Sequence, residues 1–351
     1  MVFMKRKIIA TIGAALLTLA ACSSTTDPAA PSSNPPAAGA DGKLTVVASF
    51  YPLVYLAEQV GGEQVTVTSL TPAGAEAHDL ELAPADVAGL EQADAVVYIK
   101  GFQPSVDTAV AEVKPAHVLD VASVANLQAD DGHDHGGDEG HEHAATATPR
   151  PTETGHDHDH EGHNHDHEGH NHDHGHGHDH GGLDPHVWLD PTIMSEAAHE
   201  LSHVLAEADP AHAEQYHANA EQLMEQLQAL DKSFHDGLKT CSSRSLVTAH
   251  EAFSYLARAY DLQIIGVAGI DPEAETSVAR LQEVSKQVKD QGIKTIFAEP
   301  GTNKTMQTLA DELQVKLGVL DPLEAQVDPA QDYLTVMQAN LQSLRDGLGC
   351  Q

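Results

Sequence analysis

Four side chains that could bind a metal ion lie far apart in the sequence, at His78, His186, His250 and Asp321. His78, His250 and Asp321 each follow a short apolar run typical of a strand, and His186 stands where apolar residues resume after a His-rich stretch. Open α/β sheets place their ligands at the carboxyl ends of parallel strands, so these side chains are expected to converge. Three imidazoles and a carboxylate suit a tetrahedral zinc ion. The sequence therefore predicts a zinc site with two ligands from each half of the chain.

A second metal signature is present at residues 199–203, which read His-Glu-Leu-Ser-His. This is the HExxH pattern of zinc proteases, in which two histidines on one helix face bind zinc. At 100° per residue, His199 and His203 both lie about 160° from Leu201, which belongs to the apolar stripe of the predicted helix. The two histidines are therefore predicted to be a polar surface pair, with a zincin site or an adventitious metal site as the alternatives.

Residues 130–182 have a composition unlike the rest of the chain. Sixteen of the 25 histidines lie between His133 and His180, and the whole segment also contains 14 Asp and Glu residues and one Arg. Almost no apolar side chains are available for a core, so we expect a disordered loop. Imidazoles and carboxylates together concentrate divalent cations, which favours a metal-gathering loop. A solubilising insert and a pH-sensitive spacer are the alternatives.

The remaining sequence alternates short apolar runs with helical patterns, which predicts parallel sheets covered by helices. The chain is thus of the α/β class. The strands are predicted at Leu44–Ser49, Val65–Leu70, Ala95–Ile99, Val118–Val121, Ser245–Thr248, Gln263–Val267, Lys294–Ala298 and Val315–Leu320. Helices are predicted near 51–60, 84–92, 105–113, 250–260, 274–290, 302–313 and 329–347.

A long helix is predicted between the two groups of strands. Asp209 can cap it, Pro210 suits its first turn, and apolar residues recur every three or four positions as far as Phe234. We expect this helix, at 209–238, to join an N-terminal lobe at 43–208 rigidly to a C-terminal lobe at 239–351. The N-terminal lobe would contain the His-rich loop.

The N-terminus has the features of a bacterial lipoprotein signal peptide at 1–22. Three basic residues precede an apolar run of 13 residues, too short to span a bilayer, and Leu-Ala-Ala-Cys resembles a lipobox ending at Cys22. We expect Cys22 to be lipidated and residues 23–42 to form a flexible tether. An ordinary signal peptide that happens to end at a cysteine is the alternative.

Lipidation of Cys22 would leave Cys241 and Cys350, which predicts a disulfide in an oxidising compartment, with two free thiols as the alternative. The formal net charge is −35. An acidic surface disfavours nucleic acids and anionic lipid headgroups and attracts cations. Membrane association is therefore expected through the N-terminal lipid only.

Several blocks of the sequence resemble the zinc-binding ABC-transporter lipoproteins of the ZnuA/TroA type, the metal-binding cluster A-I family. They are Ala-Ser-Phe-Tyr-Pro at 48–52, residues 184–191, residues 248–253, Ala-Glu-Pro at 298–300 and Leu-Asp-Pro-Leu at 320–323. The resemblance covers about residues 43–350. It implies His78, His186 and His250 as ligands and Asp321 as the usual fourth, with Glu76 or a water as alternatives. Ala77 departs from the family, which often has Pro there.

The resemblance implies an extracytoplasmic solute-binding protein, not an enzyme, that captures Zn²⁺ and delivers it to an ABC-type importer. Its partner would be a membrane permease, and we expect a monomer, held by its lipid on the outer face of the cytoplasmic membrane. Three imidazoles favour zinc over Mn²⁺, although Cu²⁺ and Ni²⁺ suit such ligands comparably. A manganese or broad divalent-metal binder, a surface metalloprotease, and an adhesin or passive metal store remain as alternatives.

Overall fold

A computed structural model of the chain describes residues 42–125, 184–301 and 304–351. These residues all belong to one compact unit that extends from Ala38 to Gln351. The predicted signal peptide, Cys22, nearly all of the tether and the whole His-rich segment lie outside the described residues. Within the described ranges, no helix combines the length and the apolar character needed to cross a membrane.

The first half of the described chain contains a four-stranded parallel sheet with the order β2-β1-β3-β4. The two inner strands are largely buried, as predicted from the nearly continuous apolar runs, whereas the edge strand β2 has three exposed residues among its five. The strands are β1 (Leu44–Ala48), β2 (Val65–Ser69), β3 (Ala95–Tyr98) and β4 (Val118–Asp120). The register pairs Val46 with both Val67 and Ala95, so β1 lies at the centre of the sheet.

Four helices accompany this sheet: α1 (Tyr51–Gly61), α2 (Pro84–Gln92), α3 (Pro104–Val113) and α4 (Val121–Ala125). In α1, α2 and α3 a proline occupies the first turn, where its missing N–H would have no intrahelical partner anyway. The connection from β2 to α2 carries His78.

Two helices form a hairpin in the middle of the chain: α5 (Pro191–Ala208) and α6 (Ala213–Leu238). Asp190 caps α5 by accepting a hydrogen bond from the Thr192 N–H, and Asp209 accepts one from Ala211 N–H in a short 3₁₀ turn that precedes α6. With 26 residues, α6 is about 39 Å long. The long helix predicted between the strand groups is confirmed, and its buried stripe follows the predicted spacing: Tyr216, Ala220, Leu223, Leu227, Leu230, Phe234 and Leu238.

The second half contains two pairs of parallel strands. They are β5 (Ser245–Thr248) with β6 (Gln263–Gly266), and β7 (Thr295–Ala298) with β8 (Lys316–Val319). Val247 of β5 and Ile296 of β7 belong to the same buried apolar cluster, so the two pairs share a core. The helices are α7 (Ser254–Ala259), α8 (Val278–Gln291), α9 (Lys304–Leu313) and α10 (Tyr333–Leu348). The α/β class with parallel strands is confirmed, while the exact boundaries of the two lobes stay a prediction.

The structure contains the disulfide between Cys241 and Cys350. It links the segment after α6 to the residue that follows α10, and the two cysteines are 109 residues apart in the chain. A cross-link of that loop length stabilises the fold by about 4–5 kcal/mol if its effect is on the entropy of the unfolded chain.

Candidate metal centre

Four buried side chains meet in one cluster: His78, His186, His250 and Glu324. One ligand atom from each can be chosen so that all four lie within 4.8 Å of one another. The Oε1 atom of Glu324 lies 3.5 Å from Nε2 of His78, 3.5 Å from Nε2 of His186 and 3.1 Å from Nε2 of His250. Two donors each about 2.05 Å from a tetrahedral zinc ion would be about 3.3 Å apart. The spacing of the donors therefore fits a zinc-sized ion.

His78 lies in the loop between β2 and α2, and buried polar contacts hold this loop. The Gln103 side-chain amide donates hydrogen bonds to Thr71 Oγ1 at 2.9 Å and to the Ala77 carbonyl at 2.8 Å. The His78 ring packs edge-on against Phe102, with 4.7 Å between the ring centroids. The loop backbone and the ring orientation are thus both fixed from the side of α3.

His186 lies near the start of the described range 184–301, and Asp184 orients its ring. One carboxylate oxygen of Asp184 accepts hydrogen bonds from the backbone N–H of His186 at 3.0 Å and from its Nδ1 at 2.7 Å. A proton on Nδ1 leaves the Nε2 lone pair free, and this buried Nε2 atom has no hydrogen-bond partner. A metal ion in the cluster would bind this buried nitrogen, which otherwise has no hydrogen-bond partner.

His250 follows β5 and is oriented in the same way by a carboxylate from another strand. Its Nδ1 lies 2.6 Å from Oε1 of Glu299, which follows β7, while its Nε2 faces Glu324. Thr248 Oγ1 donates to the His250 carbonyl at 2.6 Å and fixes the backbone at the end of the strand. In two of the three imidazoles, Nδ1 is therefore hydrogen-bonded to a carboxylate. This is the arrangement that orients metal-binding histidines.

The fourth member of the cluster is Glu324 rather than the predicted Asp321. The Asp321 carboxylate accepts a hydrogen bond from the Leu323 N–H at 2.8 Å, and its own N–H donates to Asn340. Leu323 adopts a positive φ of 62°, which turns the chain sharply after Pro322. Asp321 is thus used to build the turn, and the turn carries Glu324 into the cluster.

Trp188 fixes this turn from the opposite half of the chain. Its indole N–H donates to the carbonyl of Pro322 at 2.7 Å, and its own carbonyl accepts from the Tyr333 hydroxyl at 2.6 Å. Both side chains are completely buried. Trp188 thus has a packing and positioning role beside the cluster.

Glu76, the alternative fourth ligand, lies beside the cluster but outside the group of four. Its carboxylate accepts a hydrogen bond from the backbone N–H of His78 at 3.0 Å, so it shapes the loop that presents His78. It lines a cavity of about 230 Å³ together with His250, Glu273 and Glu299. Burial raises the pKa of Glu76.

The charges in the cluster are coupled through Glu324. Burial alone would raise the pKa of this carboxyl, but the His186, His250 and His78 imidazoles that face it outweigh burial and hold the pKa well below its ordinary value. Burial lowers the pKa of His78. Burial acts in the same direction on His250, but Glu299 and Glu324 overcome it and raise the pKa to about 10. Without metal, an ionised Glu324 is therefore balanced by a protonated His250.

The HExxH histidines lie elsewhere, on α5. His199, Glu200 and His203 are all exposed, as the helical spacing predicted, whereas Leu201 between them is completely buried. The structure thus separates this motif from the buried cluster.

Two groups of parallel strands are joined by a long helix, and the four buried donors come from both sides of that helix in the chain. The model of the family described as zinc-uptake complex component A, periplasmic (ZnuA), matches residues 46–347. The chain belongs to this family. Its members are solute-binding proteins rather than enzymes, and the family description as periplasmic indicates a location outside the cytoplasm.

Individual relatives agree with this assignment. The zinc-binding protein AdcA of Streptococcus pyogenes is 37% identical over 320 residues, which cover 87% of this chain and 56% of AdcA. The chain thus spans little more than half of that relative. The high-affinity zinc uptake system protein ZnuA of Bacillus subtilis is 31% identical, with 96% of each chain covered. Zinc-bound AdcAII of Streptococcus pneumoniae, a solved variant structure, is similar with a TM-score of 0.69 and 27% identity, covering 88% of this chain and 99% of AdcAII.

Proposed function

We propose that this protein captures Zn²⁺ outside the cytoplasm and delivers it to an ABC-type importer. The observation that carries the proposal is the buried cluster, in which three imidazole Nε2 atoms surround a single carboxylate oxygen at 3.1–3.5 Å. The names of the relatives, which describe zinc binding and zinc uptake, support the same metal and process.

The ligands of the captured ion would be His78, His186, His250 and Glu324, with Glu324 in the place first expected for Asp321. Three imidazoles with one carboxylate suit zinc better than Mn²⁺, which prefers a larger share of oxygen ligands. His78 and His186 precede α6 in the chain, and His250 and Glu324 follow it. Release to a permease would require only that these two pairs of ligands move apart.

Lipidation of Cys22 would hold the protein at the outer face of the cytoplasmic membrane, as a monomer beside its permease. The family description as periplasmic and the name of a related zinc-binding lipoprotein of Streptococcus pneumoniae support this location. The His-rich segment at 130–182 would gather zinc near the site without supplying its tight ligands.

The proposal is tested by competition titration of the mature protein with zinc and a chelator of known affinity, followed by the same titration with Mn²⁺. We expect one tight zinc site that Mn²⁺ does not displace at comparable concentration. Replacing His78, His186 or His250 by Ala should abolish this tight site, whereas His235→Ala, an exposed imidazole on α6, should leave it unchanged. Preferential binding of Mn²⁺, or a tight site that survives these three substitutions, would contradict the proposal.

A further inference from the structure

A second group of histidines lies on the hairpin of α5 and α6 and is not used by the buried cluster. His199 and His203 of α5 are exposed, and their Nε2 atoms are 3.3 Å apart. The ring of His217 of α6 lies next to that of His203, with 4.8 Å between the two ring centroids. We propose that His199, His203 and His217 form a separate surface site for a divalent metal ion that favours imidazole, such as Zn²⁺ or Cu²⁺.

The spacing of the α5 pair is the first argument. Two nitrogen ligands about 2.05 Å from a tetrahedral zinc ion are separated by about 3.3 Å, which is the distance between these two Nε2 atoms. The residues are one helical turn apart, so the helix itself holds both rings on the same face. An ion between them would replace the contact between the rings without moving the backbone.

The tautomer of neutral His217, meaning which ring nitrogen carries the proton, is the second argument. The hydroxyl of the buried Ser202 donates its one hydrogen to the carbonyl of His199 at 2.7 Å. Ser202 Oγ is also 2.9 Å from Nδ1 of His217, so in this contact it must accept, and Nδ1 must carry the proton. The lone pair of neutral His217 is therefore on Nε2, as in metal-binding histidines whose other ring nitrogen donates a hydrogen bond.

These observations define a site with two ligands fixed on α5 and a third whose tautomer is set by Ser202. In the proposed site His217 completes the set through Nε2 while its Nδ1 still donates to Ser202. The open positions remain available to water or to ligands from elsewhere, so the site exchanges metal more readily than the buried cluster. It also gives the HExxH motif a role in binding, with the third histidine supplied by α6.

The experiment is histidine footprinting of the full mature chain with diethyl pyrocarbonate, read by mass spectrometry at each residue. Free zinc is held at a series of set concentrations by a chelator buffer, so that the His-rich segment does not deplete it. We expect His199, His203 and His217 to become protected together, at one common midpoint above the concentration that fills the tight site. His235, exposed on α6, should remain reactive throughout.

Variants separate a shared site from independent protection. His199→Ala should shift the midpoints of His203 and His217 to higher zinc by at least about tenfold, since one ligand is lost. Ser202→Ala should weaken protection of His217 by about 10–100-fold, the usual effect of removing a hydrogen bond behind a ligand. Ser233→Ala is the matched control, because its hydroxyl donates to the Ala229 carbonyl within α6, as that of Ser202 donates to His199 within α5.

All these variants should keep the thermal stability of the parent protein and its tight zinc site. The proposal is overturned if the three histidines stay reactive at millimolar free zinc. It is also overturned if His217 is never protected with the α5 pair, or if His203 and His217 are protected equally well in His199→Ala.

Discussion

The Nδ1 atom of His250 lies 2.6 Å from Oε1 of Glu299, although the two residues belong to different strand pairs. His186 has an equivalent contact with Asp184 at 2.7 Å. These carboxylates do not belong to the group of four donors, yet each directs an Nε2 atom toward it. Metal affinity should therefore depend on residues that never contact the ion.

Glu299→Gln and Asp184→Asn should each weaken zinc binding by about 10–100-fold, because partners behind ligating histidines have effects of this size. Chelator competition measures the change. Glu273→Gln is the matched control, since Glu273 lines the same cavity as Glu299 but has no hydrogen bond to His250. Equal affinities for Glu299→Gln and Glu273→Gln would show that the contact has no role in binding.

The fourth ligand is tested by two substitutions in one turn. Glu324→Gln keeps the shape of the side chain but removes the charge that faces three imidazoles, and should weaken zinc binding by at least about tenfold. Asp321→Asn should leave the affinity nearly unchanged, because an amide oxygen can still accept the hydrogen bond from Leu323. The opposite ranking in the same titration would restore Asp321 as the ligand.

Zinc binding at pH 7 should release protons. The pKa of His250 is raised to about 10 by Glu299 and Glu324 despite burial, so metal-free His250 holds a proton that zinc must displace. Affinity should therefore rise as the pH increases from 7 toward 10, by about tenfold per pH unit for each proton released. Above that pKa, the His250 contribution should disappear.

Calorimetric titration in two buffers of equal pH and different ionisation enthalpy counts these protons. Binding heats that do not depend on the buffer at pH 7 would contradict the charge state derived for the cluster. Glu299→Gln serves as an internal comparison, because loss of this partner should lower the pKa of His250 and reduce the number of protons released.

Zinc should also stabilise the fold, since the complete ligand set exists only in the native state. At a free zinc concentration 100 times the Kd, the free energy of unfolding should increase by about 2.7 kcal/mol. Thermal melts with zinc and with chelator measure this difference. His250→Ala should melt at the same temperature with zinc and with chelator. Any stabilisation by the proposed surface site is removed in the double variant that also carries His199→Ala.

The sequence predicted most of the fold and three of the four clustered side chains. Each of His78, His186 and His250 stands in a recognisable block, and the rule that ligands gather at strand ends brought them together. Glu324 could not be identified this way, because its position depends on the positive φ of Leu323, which no residue-type preference signals. The Asp-Pro pair at 321–322 was a usable sign, since Asp commonly caps turns with its own side chain.

The pairing of strands in the second half also went beyond what the sequence could show. Periodicity identifies β5, β6, β7 and β8 but does not say which strands are hydrogen-bonded to each other. The helix α6 was predicted closely, because its buried stripe and the turn that Asp209 caps just before it are both local features.

The central claim is that a single zinc ion is bound by His78, His186, His250 and Glu324. A crystal structure of the zinc-loaded mature protein, with anomalous diffraction recorded on both sides of the zinc edge, tests this most directly. We predict a strong anomalous peak within about 2.0–2.2 Å of three Nε2 atoms and a Glu324 oxygen. A tight zinc ion located elsewhere, or one bound by Asp321 with Glu324 turned away, would contradict the claim.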